Sequence, residues 1–154
     1  PEGLKFQPAD CGKFVVGEDL PVGLQGNMAA VAAEGAGNRF IVIAMQTSQP
    51  MPFNDPGRNC KQVGFAGRGM RGVVEVVDAP QIDGARTLGV HRIVQTVVRG
   101  KPRSGEVYNY SAHFGDYQVI VTANPLLAPD KPGAPVDTSR ARDLLVKTVA
   151  AIRG

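Results

Sequence analysis

Alternation of apolar and polar side chains runs through most of this chain, and it predicts strands. Residues 39–46 form a β-branched, aromatic-rich run bounded by turn residues. Residues 61–66 and 72–78 are valine-rich and read as two more strands. Residues 86–99 give the longest alternation: Leu88, Val90, Arg92, Val94, Thr96 and Val98 share one face, and His91, Ile93, Gln95 and Val97 the other. Residues 106–114 and 117–123 predict a hairpin across Gly115-Asp116. Residues 28–34 read as a small-residue strand, followed by a glycine turn at 35–38. Only the last segment has helical spacing, with Ala141, Leu144, Leu145, Val149 and Ile152 on one side. Asp137 or Thr138 is placed to cap its start, Lys147 and Arg153 lie toward its end, and Gly154 supplies the stop. Residues 8–16 predict a short helix with Phe14 and Val15 facing inward.

The breaks between these elements carry the prolines. Residues 47–59 contain Pro50, Pro52 and Pro56 and read as a long surface loop. Residues 80–85 read as a turn and 100–105 as an exposed loop, and residues 124–136, with four prolines, read as a tether. An amphipathic helix of this length is not stable alone in water, so it must lay its apolar stripe on a sheet. The expected fold is α+β: an antiparallel sheet of about six to seven strands packed by the C-terminal helix, with a short N-terminal helix, in a single domain spanning residues 1–154.

Composition narrows the partners. The chain has 154 residues, 43% of them hydrophobic, and a net charge of +3. Its cations form no stripe interleaved with aromatics, so no nucleic acid is expected. No apolar run is long enough for this domain to span a membrane. The chain opens at Pro1 without a methionine, which suggests a mature or trimmed form anchored through a segment N-terminal to Pro1. Cys11 and Cys60 are the only cysteines, each in a polar, turn-forming setting. An even count in loops reads as one disulfide, which persists outside a reducing cytosol.

Candidate chemistry is sparse. His91 and His113 are the only histidines; both fall in strands, without metal-site spacing, so no metal is expected. Ser111, His113 and Asp116 hold the residue types of a hydrolytic triad, but no nucleophile elbow accompanies them. The stretch 67–72, with Arg68 and Arg71, lacks a phosphate-loop pattern and reads as a turn between strands. Asn109-Tyr110-Ser111 matches a glycosylation sequon but reads as the alternating face of a strand. Tyr108, Tyr110 and Phe114 share one face of the hairpin beside Tyr117. They read either as core beneath the helix or as the floor of an apolar cleft flanked by Arg71. The alanines Ala29, Ala30, Ala32 and Ala33 leave room there only if their strand neighbours the hairpin.

The Pro-Ala-Asp-Cys opening at residues 8–11, the runs 69–96 and 103–125, and the C-terminal Arg-Asp-Leu-Leu helix resemble a family of uncharacterised mycobacterial envelope proteins, lipoprotein-like or secreted. More distantly the layout is similar to the external sensor domain of a mycobacterial receptor serine/threonine kinase, from which it departs in having one cysteine pair instead of two. The resemblance implies an extracytoplasmic, envelope location and a binding or sensing role without catalysis or cofactor. The expected partner is a small apolar or envelope ligand held by Tyr108, Tyr110, Phe114, Tyr117 and Arg71. The alternative is an envelope protein engaged by a structural or assembly module, and an envelope hydrolase stands last.

Overall fold

The structure, a computed structural model, describes residues 3–17, 19–127 and 133–154. Eight strands run in chain order: β1 (Lys5–Gln7), β2 (Gly26–Gly35), β3 (Asn38–Thr47), β4 (Gln62–Gly67), β5 (Met70–Val77), β6 (Arg86–Val98), β7 (Lys101–Phe114) and β8 (Tyr117–Pro125). A 3-10 turn (Ala9–Cys11) leads into helix α1 (Gly12–Val16), and helix α2 (Thr138–Arg153) closes the chain. All strands join one sheet in the order β1-β4-β5-β6-β7-β8-β3-β2, with every pairing antiparallel. This is the α+β architecture expected, with the three-residue β1 as an added edge strand. The middle of the proline tether, residues 128–132, lies outside the described residues.

Two-residue turns set the registers. Ala36-Gly37, Arg68-Gly69 and Arg99-Gly100 each place both residues at positive φ, the hand that matches strand twist. The turn Arg99-Gly100 corrects the expected loop at 100–105, because β7 already starts at Lys101. Pro102 is tolerated there because β8 pairs only with residues 108–114, so this end of β7 is a sheet edge.

The helices cover opposite faces and opposite halves of the sheet. Ala141, Leu145 and Val149 of α2 pack on Phe40, Tyr110, Ala112, Phe114, Val119, Val121 and Ala123. On the other face, Phe14 and Val15 of α1 join Cys11, Val63, Phe65, Val74 and Val90. Asp137 caps α2, accepting from the Arg140 amide at 3.0 Å. Asn38, fully buried, ties the approach to that helix: its Nδ2 donates to the Pro135 carbonyl at 3.0 Å and its Oδ1 accepts from the Asp137 amide at 2.7 Å. Cys11 and Cys60 form the expected disulfide, linking the N-terminal arm to a residue two positions before β4.

In each cluster an aromatic ring lies over a glycine on the neighbouring strand. Tyr110 pairs with Gly89, where a Cβ would stand 3.0 Å from the Tyr110 ring and 2.8 Å from the Val77 carbonyl oxygen. Phe65 pairs with Gly72, where a Cβ would stand 2.5 Å from the Phe65 ring. The missing side chain is what lets each ring lie flat on the sheet.

Candidate functional site

The five residues expected to hold a ligand do not converge. Tyr110 is 1% exposed and Phe114 8%, and both are core beneath α2. Arg153 sits over the Phe114 ring at 5.0 Å, and Tyr117 stacks beside that ring at 5.5 Å. Tyr108 stacks on His91 at 4.1 Å. Its hydroxyl pKa is raised by burial first, then by the charge of Glu106, Tyr110 and Glu75. Arg71 donates to Gln95 at 2.9 Å and lies at the far end of the sheet. By register it stands level with Ser104, ten residues from Phe114 along β7, or about 33 Å at the rise of a strand. It borders an open groove of about 680 Å³ floored by Gly64, Ala66, Val73 and Ile93. The alanine-rich β2 does not touch the hairpin, because β3 lies between them.

The two histidines point to opposite faces, so they hold no site in common. His91 bridges three strands on the α2 face: Nδ1 is 3.0 Å from Glu75 and Nε2 is 2.8 Å from Glu106. Both bonds are donated only when both ring nitrogens carry protons. This reads as a strut across β5, β6 and β7.

His113 is different. On the face opposite α2, β6, β7 and β8 present Arg92, Asn109, Ser111, His113 and Gln118, an ordinary polar stripe if it met water. Instead the proline-rich loop crosses it as a strap. Phe53 meets the His113 ring edge-on at 5.3 Å. Arg86 lies 4.0 Å over the Phe53 ring and pairs with Asp55 at 3.3 Å. Asn54 donates to the Phe14 carbonyl at 2.9 Å, joining the strap to α1. At its two ends the strap is held by Thr47, whose amide donates to the Asp116 carbonyl at 2.9 Å, and by Cys60.

Beneath the strap lies a cavity of about 260 Å³, whose wall includes Arg92, Asn109, Ser111, His113 and Gln118. Both ring nitrogens of His113 and Oε1 of Gln118 are buried without a hydrogen-bond partner. Burial lowers the His113 pKa, and the nearby Arg86 charge lowers it further, so the ring is neutral. Arg92 donates to the Val15 carbonyl at 3.1 Å and has no acidic partner among the described residues. Burial lowers its pKa too, yet a guanidinium stays charged. Buried polar groups without partners are costly, and a set that shares one cavity points to something that fills it.

Ser111 and His113 do share this face, but Asp116 does not complete a triad. Its carboxylate accepts from Gln46 at 3.3 Å, and no acid orients the His113 ring among the described residues. The stretch 67–72 is a tight turn, as expected, and gathers no phosphate cradle. No helix of the described residues is long and apolar enough to cross a membrane, and no group of three or more His, Cys, Asp and Glu among them is placed to hold a metal.

These features define a class: a disulfide-stapled α+β domain with a single antiparallel sheet, a helix on each face, and a strap closing over a polar cavity. The chain belongs to the family described as Domain of unknown function (DUF5642), whose model matches residues 1–153. It is also similar to the X-ray structure of an uncharacterised Mycobacterium smegmatis protein, an Rv0999 ortholog, at 63% identity and a TM-score of 0.92. That match covers 100% of this chain and 78% of the other. No curated protein matches. The mycobacterial, uncharacterised kinship suggested by the sequence runs therefore holds, whereas nothing in the comparisons supports likeness to a kinase sensor domain.

Proposed function

We propose that this domain is a non-catalytic, extracytoplasmic binding module whose ligand is a small polar molecule carrying a negative charge, held beneath the strap. One observation carries the reading: the unpartnered His113 nitrogens and Gln118 Oε1 border the same cavity as Arg92. A guanidinium favours a carboxylate or similar oxyanion, while a neutral imidazole and an amide suit the ligand's donors and acceptors. At about 260 Å³ the cavity has the volume of some nine water molecules in the liquid, which suits a compact metabolite and not a lipid chain. The apolar ligand expected from the tyrosines has a weaker place, because Tyr110 and Phe114 pack in the core beneath α2 and the groove beside Arg71 is open, leaving Val73 36% and Ile93 41% exposed. The disulfide is compatible with life outside the cytoplasm, and the incomplete triad supports binding without turnover.

The test is calorimetric titration with acetate, succinate, inorganic phosphate and a medium-chain fatty acid. Saturable binding of a small anion, lost in Arg92→Met and weakened in His113→Phe, is the expected result. Saturable binding of none, fatty-acid binding indifferent to Arg92→Met, or chemical turnover of the bound molecule overturns it.

A further inference from the structure

Among the described residues the sheet has three open edges, and two are guarded. β1 is three residues long, carries Lys5 and is followed by Pro8. The free end of β7 carries Lys101, Pro102 and Arg103. Short length, cations and proline are the usual means of keeping another strand away.

β2, the outermost strand on the other side, has none of them. It is ten residues long and pairs with β3 without a bulge, from Gly26–Thr47 to Gly35–Asn38. Glu34 is its only charge, and it contains no proline. Met28 and Val31 are each 68% exposed. The direction of its free groups follows from the ladder. The amide of Ser48 donates to the carbonyl of Gln25, and the Ala36-Gly37 turn closes on Gly35 and Asn38. Odd-numbered residues of β2 therefore turn their backbone groups toward β3. Met28, Ala30, Ala32 and Glu34 turn theirs outward, where no strand of the described residues follows.

The sequence of this edge also says what fits it. Residues 29–33 read Ala-Ala-Val-Ala-Ala, the same in both directions. We infer that β2 pairs antiparallel with β2 of a second copy of this chain, about a two-fold axis at Val31. In that register Val31 meets the partner's Val31, Ala30 meets the partner's Ala32, and Met28 meets the partner's Glu34. The outward residues face one another, so their amides and carbonyls bond across the seam. Glu34 never opposes itself, so the like-charge repulsion that disfavours many self-pairings is absent. The axis stands perpendicular to the sheet, so both α2 helices lie on one face and both straps on the other. An isologous contact of this kind closes on itself and stops at two.

The test is light scattering coupled to size exclusion, together with cysteine cross-linking of the full chain. Wild type runs as a dimer, and Val31→Lys, which sets two cations opposite each other, runs as a monomer with an unchanged circular dichroism spectrum. Should that variant misfold, the cross-link still decides. Directly opposed non-bonded residues stand about 4.5 Å apart at Cα, within disulfide reach, whereas two copies of residue 29 stand about 13 Å apart. Val31→Cys therefore gives a covalent dimer under mild oxidation and Ala29→Cys does not. A wild-type protein that stays monomeric at its highest soluble concentration, or equal cross-linking at both positions, overturns the inference.

Discussion

The two faces of the sheet are covered by unequal means. On one, 16 residues of α2 bury Leu145 and Val149 against three strands, with no covalent link to them. On the other, a five-residue helix contributes little more than Phe14 and Val15. A helix that short has no stability of its own, and its apolar contact is small. The Cys11–Cys60 bond lies inside that second cluster, with Cys11 1% exposed. Where apolar area suffices the fold uses packing alone; where it does not, a covalent bond holds the layer in place. The cavity belongs to the second side, because α1 and Cys60 both anchor the strap.

The largest effect that tests this contrast comes from cutting the bond. The disulfide spans a sequence separation of 49 residues, and chain entropy assigns such a loop about 4 kcal/mol. In the Cys11→Ala/Cys60→Ala variant, hydrogen exchange is expected to quicken across residues 5–17 and 48–59 while α2 and the β7–β8 hairpin stay protected. Uniform loosening of both faces would break the contrast. Next comes Leu145→Ala, which empties a fully buried site in the packed cluster. It should cost about 3 kcal/mol in urea unfolding, with no local release of the strap.

The smallest effect is the most telling for the site. Because the folded pKa of His113 lies below its ordinary 6.5, the unfolded chain takes up the proton first. Stability is therefore fully present above about pH 6.5 and is lost as the pH falls toward the folded value. His113→Phe removes that component, so its melting temperature should fall less than that of wild type between pH 7 and 5. Replacing unpartnered polar atoms with an apolar ring should also raise stability at pH 7 by about 1 kcal/mol. A variant with an unchanged acid slope would show that His113 is already satisfied and that the cavity reading needs another basis.

Much of the fold was legible locally. The β-branched run of β3, the turns at 35–38 and 115–116, the Asp137 cap and the stripe through Ala141, Leu145 and Val149 all follow from side chains a few residues apart. β1 was not legible, because three residues carry no period. β7 was read too short because Pro102 resembles a loop residue until one knows that, among the described residues, only β6 pairs with it and its other side is open. The site was hardest. Asn109, Ser111 and His113 alternate as a wetted face should, and only the strap makes them a cavity wall. The seating of the strap rests on Phe53 with His113 and Arg86 with Asp55, pairs 60 and 31 residues apart that no local pattern announces. The tyrosine row had two readings, and the structure places Tyr110 and Phe114 in the core.

The rings over glycines have a consequence for how such a chain can vary. Position 89 admits no side chain while Tyr110 lies across it, and shrinking Tyr110 leaves bare backbone at Gly89. The dependence runs one way: the ring needs the glycine beneath it, while the glycine is also held by a neighbouring carbonyl, Val77 at position 89 and Ile93 at position 72, and Phe65 with Gly72 repeats the arrangement of Tyr110 with Gly89. Among related chains, glycine should persist at 89 and 72 even where the ring is lost, because the Val77 and Ile93 carbonyls crowd a Cβ there, whereas a ring at 110 or 65 should not persist where its glycine has gained a side chain.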